Sequence, residues 1–135
     1  MREMMLVAVG GSLGALARYG TGLAAGHLLG KGFPWGTLIV NVAGCFVMGL
    51  VMEWILDLES HAVATAALRG QIAFWKQGVA IGFLGGLTTF SSFGADTLRQ
   101  FEGGSFTPGL ANIGANVLLS LAAVWAGMSL MQAAD

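Results

Sequence analysis

The sequence predicts an all-α membrane protein of four spanning helices, the third broken near Gly85–Thr89, and three observations carry that prediction. Of 135 residues, 56% are hydrophobic and only 10% charged, with a mean hydropathy of +0.76, outside the habit of soluble domains. Spanning helices need about 20 mostly apolar residues each, so a chain of this length holds about four and leaves no room for a separate soluble domain. The 22 glycines include pairs four apart, Gly10 with Gly14, Gly22 with Gly26 and Gly78 with Gly82. That spacing lets helices approach closely and points to tight packing or oligomerisation.

The whole chain reads as a single transmembrane domain, residues 1–135, with spans at about 4–29, 34–56, 71–98 and 108–131. The charged start Met1-Arg2-Glu3 leads into an apolar run that is read as the first span rather than a signal peptide, because similar runs recur along the chain. Gly30-Lys31-Gly32 closes it, and Pro34 suits the first turn of the second. Asp57, Glu59, Ser60 and His61 mark a wet connection, and 62–67 reads as a short surface helix or an early extension of the third span. Within that span Gly82, Gly85 and Gly86, followed by the β-branched pair Thr88-Thr89, make a poor continuous helix. Arg99, Glu102, Gly103, Gly104 and Ser105 form the last turn.

A net charge of -1 without a basic run or acidic tail argues against nucleic acid or a headgroup-binding patch as partner. The lone Cys45 sits in an apolar stretch, where it reads as core packing and forms no intrachain disulfide. Basic residues near span ends divide as Arg2, Arg69 and Lys76 on one side against Lys31 and Arg99 on the other. So small a bias leaves insertion nearly undecided and makes an antiparallel, dual-topology homodimer plausible.

Polar groups at membrane depth are the candidate functional residues, because each costs energy unless it meets water, protein or an ion. Arg18 stands midway along the first span, suited either to an anion-gathering vestibule or to bonding helix-end carbonyls. Asn41 brings an amide to mid-span, able to donate to an anion or to bond across helices. Asn112, Asn116 and Ser120 recur at i, i+4 and i+8 on one helical face. Unwound backbone at 82–93 is tolerated only where it is buried or lines a cavity, and its freed carbonyls suit a hard cation. Thr89, Ser91 and Ser92 add hydroxyl donors beside the positive end of the following half-helix. Phe90 and Phe93 share a face, and the positive edge of an aromatic ring can meet a halide.

Four strings in order, Gly11-x-x-Gly14-Ala15-x-x-Arg18-Tyr19, Gly36-Thr37-Leu38-x-Val40-Asn41-x-x-Gly44, the run from Gly82 to Phe93, and Asn116-x-x-x-Ser120, resemble the Fluc (CrcB-type) fluoride channels across essentially the whole chain. The resemblance implies a multi-pass protein of the cell (inner) membrane, an antiparallel homodimer with two fluoride pores. It implies passive export of fluoride, which protects the cell because HF enters and is trapped inside as the anion. It also implies a central structural Na+ on the backbone carbonyls of Gly85 and Thr88. Phe90 and Phe93 map to the pore aromatic pair, Asn41 to the pore amide, Asn116 and Ser120 to a polar track, and Arg18 to the vestibule.

A small four-span proton-coupled exporter is the alternative, but it needs a titratable group at membrane depth, and the first span has no acid after Glu3. Enzyme chemistry is not expected: His27 and His61 flank spans, Cys45 is alone, and no nucleophile has a base at matching depth.

Overall fold

The computed structural model describes residues 1–61 and 65–134, all of whose regular structure is helical. Helix α1 is Arg2–Leu28 and α2 is Trp35–His61. Helix α3 covers 66–87, α4 is Phe90–Glu102, and α5 is Phe106–Gln132. Among the described residues three stretches are long and apolar enough to cross a membrane: Trp35–Ser60, Ala66–Glu102 and Phe106–Gln132. Helix α1 has the length, 27 residues, but its glycines and Arg18 make it less uniformly apolar than those three.

The helix ends follow local chemistry. Pro34, without an N–H to lose, presents its carbonyl to Leu38 N–H at 3.2 Å and opens α2. The wet connection expected at 57–61 is instead helical, since α2 runs on to His61. Its last turns are held from outside: Trp54 meets Trp75 edge-on at 4.9 Å and Glu59 pairs with Lys76 at 3.4 Å. Residues 62–64 of the proposed surface helix lie outside the described residues, whereas Ala66 and Ala67 already belong to α3, capped by Thr65 accepting from Leu68 N–H at 3.3 Å. Helix α4 continues through Arg99 to Glu102, so the turn narrows to 103–105. There Gly104, at φ +75°, adopts the left-handed conformation while Ser105 N–H returns to the Gln100 carbonyl at 2.8 Å.

Glycine decides how the helices pack. A Cβ on Gly10 or Gly14 would run into the carbonyls of Gly78 or Phe83, so α1 and α3 lie backbone against backbone, running in the same direction. Helices α2 and α5 do the same through Gly49 and Gly127, which meet the backbone at Val124 and Phe46. Against α1, residues Phe74–Leu84 of α3 are wound as a π-helix, and Ala115–Leu119 forms a second π-turn inside α5. The one buried apolar cluster described, Val51, Ile55 and Ala80, is small, while Leu16, Leu23, Leu118 and Trp125 point outward. An outward apolar surface of this extent fits a lipid or partner environment rather than water.

Candidate pore at the helix break

The break falls at Thr88-Thr89, whose extended backbone separates α3 from α4. Its groups are rebonded by side chains. Thr89 N–H donates to Asn41 Oδ1 at 2.8 Å, and Asn41 Nδ2 returns to the Thr89 carbonyl at 3.2 Å. Thr89 then caps α4, its Oγ1 accepting from Ser92 N–H at 3.1 Å and lying 3.1 Å from Ser91 Oγ. Gly44 leaves the space on α2 that the Thr88 methyl occupies.

The break withdraws the helical donors of several carbonyls, those of Gly85 and Thr88 among them. An unbroken helix would direct Thr89 N–H at the Gly85 carbonyl and Ser92 N–H at the Thr88 carbonyl, and both donors go elsewhere. Gly85 is exposed on the outer surface of the helix. Two backbone oxygens form part of a shell for a hard cation. Among the described residues no three His, Cys, Asp or Glu side chains gather into a metal site.

Two clefts meet at Thr89, which is only 6% exposed. One, of about 330 Å³, brings together Asn41, Thr88, Phe90, Phe93, Asn116 and Ser120. Cys45 also lines it, a position that the core-packing reading did not anticipate. The Phe90 and Phe93 rings stand edge to face at 5.3 Å, Phe93 buried at 8% exposure and Phe90 turned outward at 81%. Ser120 Oγ is buried without a hydrogen-bond partner. The other cleft, of about 440 Å³, holds Arg18 with Tyr19, Thr37, Ser92 and Asp96. Arg18 makes no ion pair or hydrogen bond among the described residues.

Both Asn41 amide hydrogens are engaged, one on Thr89 and one on Asn116 Oδ1 at 2.9 Å. Asn116 Nδ2 is likewise committed to the Asn112 carbonyl at 3.1 Å and to Asn112 Oδ1 at 2.8 Å. The donors left free in the smaller cleft are therefore the Ser120 hydroxyl, the weakly donating Cys45 thiol and the ring edges. Of the residues singled out in the sequence, Asn41, Phe90, Phe93, Thr88, Thr89, Asn116 and Ser120 converge here. Arg18 stands in the adjoining cleft, Ser91 lines neither, and Gly85 faces outward.

Sequence reasoning missed two partners. Asp96, which composition alone does not single out, accepts from Thr37 Oγ1 at 2.8 Å and pairs with Arg99 at 3.6 Å while lining the Arg18 cleft. Thr97 was not considered, and it accepts from Asn112 Nδ2 at 2.9 Å. Its place four residues after Phe93 and the four-residue spacing of Thr37 and Asn41 are helical-face signals that could have found both partners.

Long apolar helices, a broken helix at their centre and a polar cleft there define a membrane protein built around a small-solute or ion site. The chain belongs to the family described as CrcB-like protein, Camphor Resistance (CrcB), whose model matches residues 5–128. Among its relatives is a protein of Dehalococcoides mccartyi, 44% identical over 127 residues, covering 94% of this chain and 90% of the relative. Another, of Rhizobium etli, is 44% identical over 133 residues, 98% of each chain. A third, of Solibacter usitatus, is 42% identical over 126 residues, covering 93% and 94%. All three are named fluoride-specific ion channel FluC.

Proposed function

We propose that this chain forms a fluoride-selective channel that lets fluoride leave the cell passively, down its electrochemical gradient. The observation that carries the reading is the cleft at the break, where a buried, unpartnered Ser120 hydroxyl lies beside the edge-to-face pair Phe90 and Phe93. A small anion that sheds water needs donors without basic groups that would trap it, and one hydroxyl with positive ring edges supplies them. Relatives similar over more than nine tenths of this chain bear the name of that activity. Arg18, unpaired in the adjoining cleft, attracts the anion, and Thr89, which lines both clefts, stands between it and Ser120.

The working unit we infer is an antiparallel homodimer in the cell (inner) membrane, with all four long helices of each chain spanning as one domain. Phe90, largely exposed at membrane depth, would face the second copy, and the outward Gly85 would lie near it. A structural Na+ would rest on the released Gly85 and Thr88 carbonyls of both copies, where two oxygens from one chain leave the shell incomplete. No observation favours the proton-coupled exporter: Asp96 is bonded to Thr37 and paired with Arg99.

Purified protein in liposomes loaded with fluoride tests this. On addition of a potassium ionophore, a fluoride electrode should report rapid efflux, and chloride-loaded liposomes should stay nearly silent. Equal chloride and fluoride efflux, or none of either, would overturn the reading.

A further inference from the structure

Five hydrogen bonds run head to tail from one end of the first turn of α4 back to the other. Thr89 N–H donates to Asn41 Oδ1, Asn41 Nδ2 to Asn116 Oδ1, and Asn116 Nδ2 to Asn112 Oδ1, at 2.8, 2.9 and 2.8 Å. Asn112 Nδ2 then donates to Thr97 Oγ1 at 2.9 Å, and the Thr97 hydroxyl to the Phe93 carbonyl at 2.8 Å. The ends of this chain are backbone groups that cannot exchange roles, since an N–H only donates and a carbonyl only accepts. Every amide between them is therefore held in one sense. Reversing any of them would set donor against donor and acceptor against acceptor in an interior where such a mismatch is costly.

Asn112 is 0% exposed and Thr97 6%, and neither lines the clefts at the break. Thr97 has one hydroxyl proton, spent on Phe93, so it can only accept from Asn112. That leaves Asn112 Oδ1 for Asn116, which turns Asn116 Oδ1 toward Asn41.

We propose that Thr97 and Asn112 are positioning residues for conduction: they reinforce the amide direction that the Thr89 backbone imposes on Asn41 and the Asn112 carbonyl on Asn116, and so pin the α4 turn that carries Phe90 and Phe93. They do not touch the ion. This rests on the fluoride-channel reading for its functional half, but the hydrogen-bond relay itself can be read without conduction.

The test is Thr97→Val, close in volume but unable to accept, beside Thr97→Ser, which keeps the hydroxyl. In single-channel recordings of the full-length protein, Thr97→Val should lower the unitary fluoride current about tenfold, equivalent to about 1.4 kcal/mol. Thr97→Ser should stay near wild type. In an Asn112→Leu background Thr97→Val should add nothing, because the relay is already cut. A packing role would reduce the number of channels and leave their unitary current unchanged, and that result would overturn the proposal. Side-chain amide resonances of Asn116 and Asn41 in detergent-solubilised protein give the second readout: both should shift in Thr97→Val and return in Thr97→Ser. If only Asn112 responds, the relay is wrong. Wild-type protein that carries no fluoride while its amides respond as expected would sink the channel reading and keep the relay.

Discussion

Ser120 separates conduction from folding at a single atom. Its hydroxyl is buried and bonds to nothing in the chain, so Ser120→Ala removes no hydrogen bond and relieves an unmet group that costs about 1–3 kcal/mol. Thermal stability should hold or rise slightly, while fluoride efflux falls. A variant that conducts like wild type would remove the hydroxyl from the ion path. The two phenylalanines divide in the same manner. Isoleucine at the buried Phe93 should cost about 1–1.5 kcal/mol of packing, whereas at the outward Phe90 the isolated chain loses little beyond the edge-to-face contact. Both isoleucine variants should lose far more flux than dimer yield, read by fluoride electrode beside gel filtration, with methionine retaining part of the flux through its polarizable chain. Full conduction in both, or failure only through loss of the dimer, would end the aromatic-edge mechanism. Asn41, Asn116 and Ser120 were legible in the sequence because an amide or hydroxyl inside an apolar run is costly and so calls for an explanation. Thr97 was not, since a threonine near a helix end is unremarkable until the fold sets Asn112 against it.

At the scale of helices, the break was legible from Gly85, Gly86 and the β-branched Thr88-Thr89, whereas the π-winding of Phe74–Leu84 was not. That winding lies where α1 approaches, an approach that the Gly78 and Gly82 spacing signals without specifying how the backbone winds. The glycines that permit the approach give a sharp contrast. Gly14→Ala would drive a methyl into the Phe83 carbonyl and should cost about 1–3 kcal/mol or more, because backbone cannot move aside as a side chain does. Gly20→Ala, with nothing within 4 Å, should stabilise α1 by up to about 1 kcal/mol through helix propensity. Thermal denaturation in detergent checks both, and equal effects would show that α1 and α3 are not in backbone contact. The released carbonyls of Gly85 and Thr88 make a further expectation. Replacing Na+ by a bulky organic cation on both sides should lower activity or dimer stability slowly, because a buried ion leaves slowly. Activity indifferent to sodium over days would count against a cation at the break.

For the whole molecule the open quantity is orientation. The helices place Arg2, Arg69 and Lys76 toward one end of the bundle and Lys31 and Arg99 toward the other, three basic residues against two. Acidic residues do not resolve this, since orientation follows the Lys/Arg excess in short loops rather than net charge. So slight a bias does not by itself select one orientation, and the antiparallel pair proposed above needs both from one gene product. Two or three lysines added within 29–34, the short connection between α1 and α2, should outvote the other end and force one orientation. The same addition at Met1 should force the reverse. Each biased version alone should then reach the membrane yet conduct little fluoride, because its copies can meet only in parallel. Expressed together, the two should restore efflux, each supplying the orientation that the other lacks. Accessibility of single cysteines to a membrane-impermeant thiol reagent, in a Cys45→Ala background, reports orientation independently of flux. If one biased version is uniformly oriented and still conducts like wild type, the antiparallel dimer is wrong and the outward face of Phe90 must meet something other than an inverted copy of this chain.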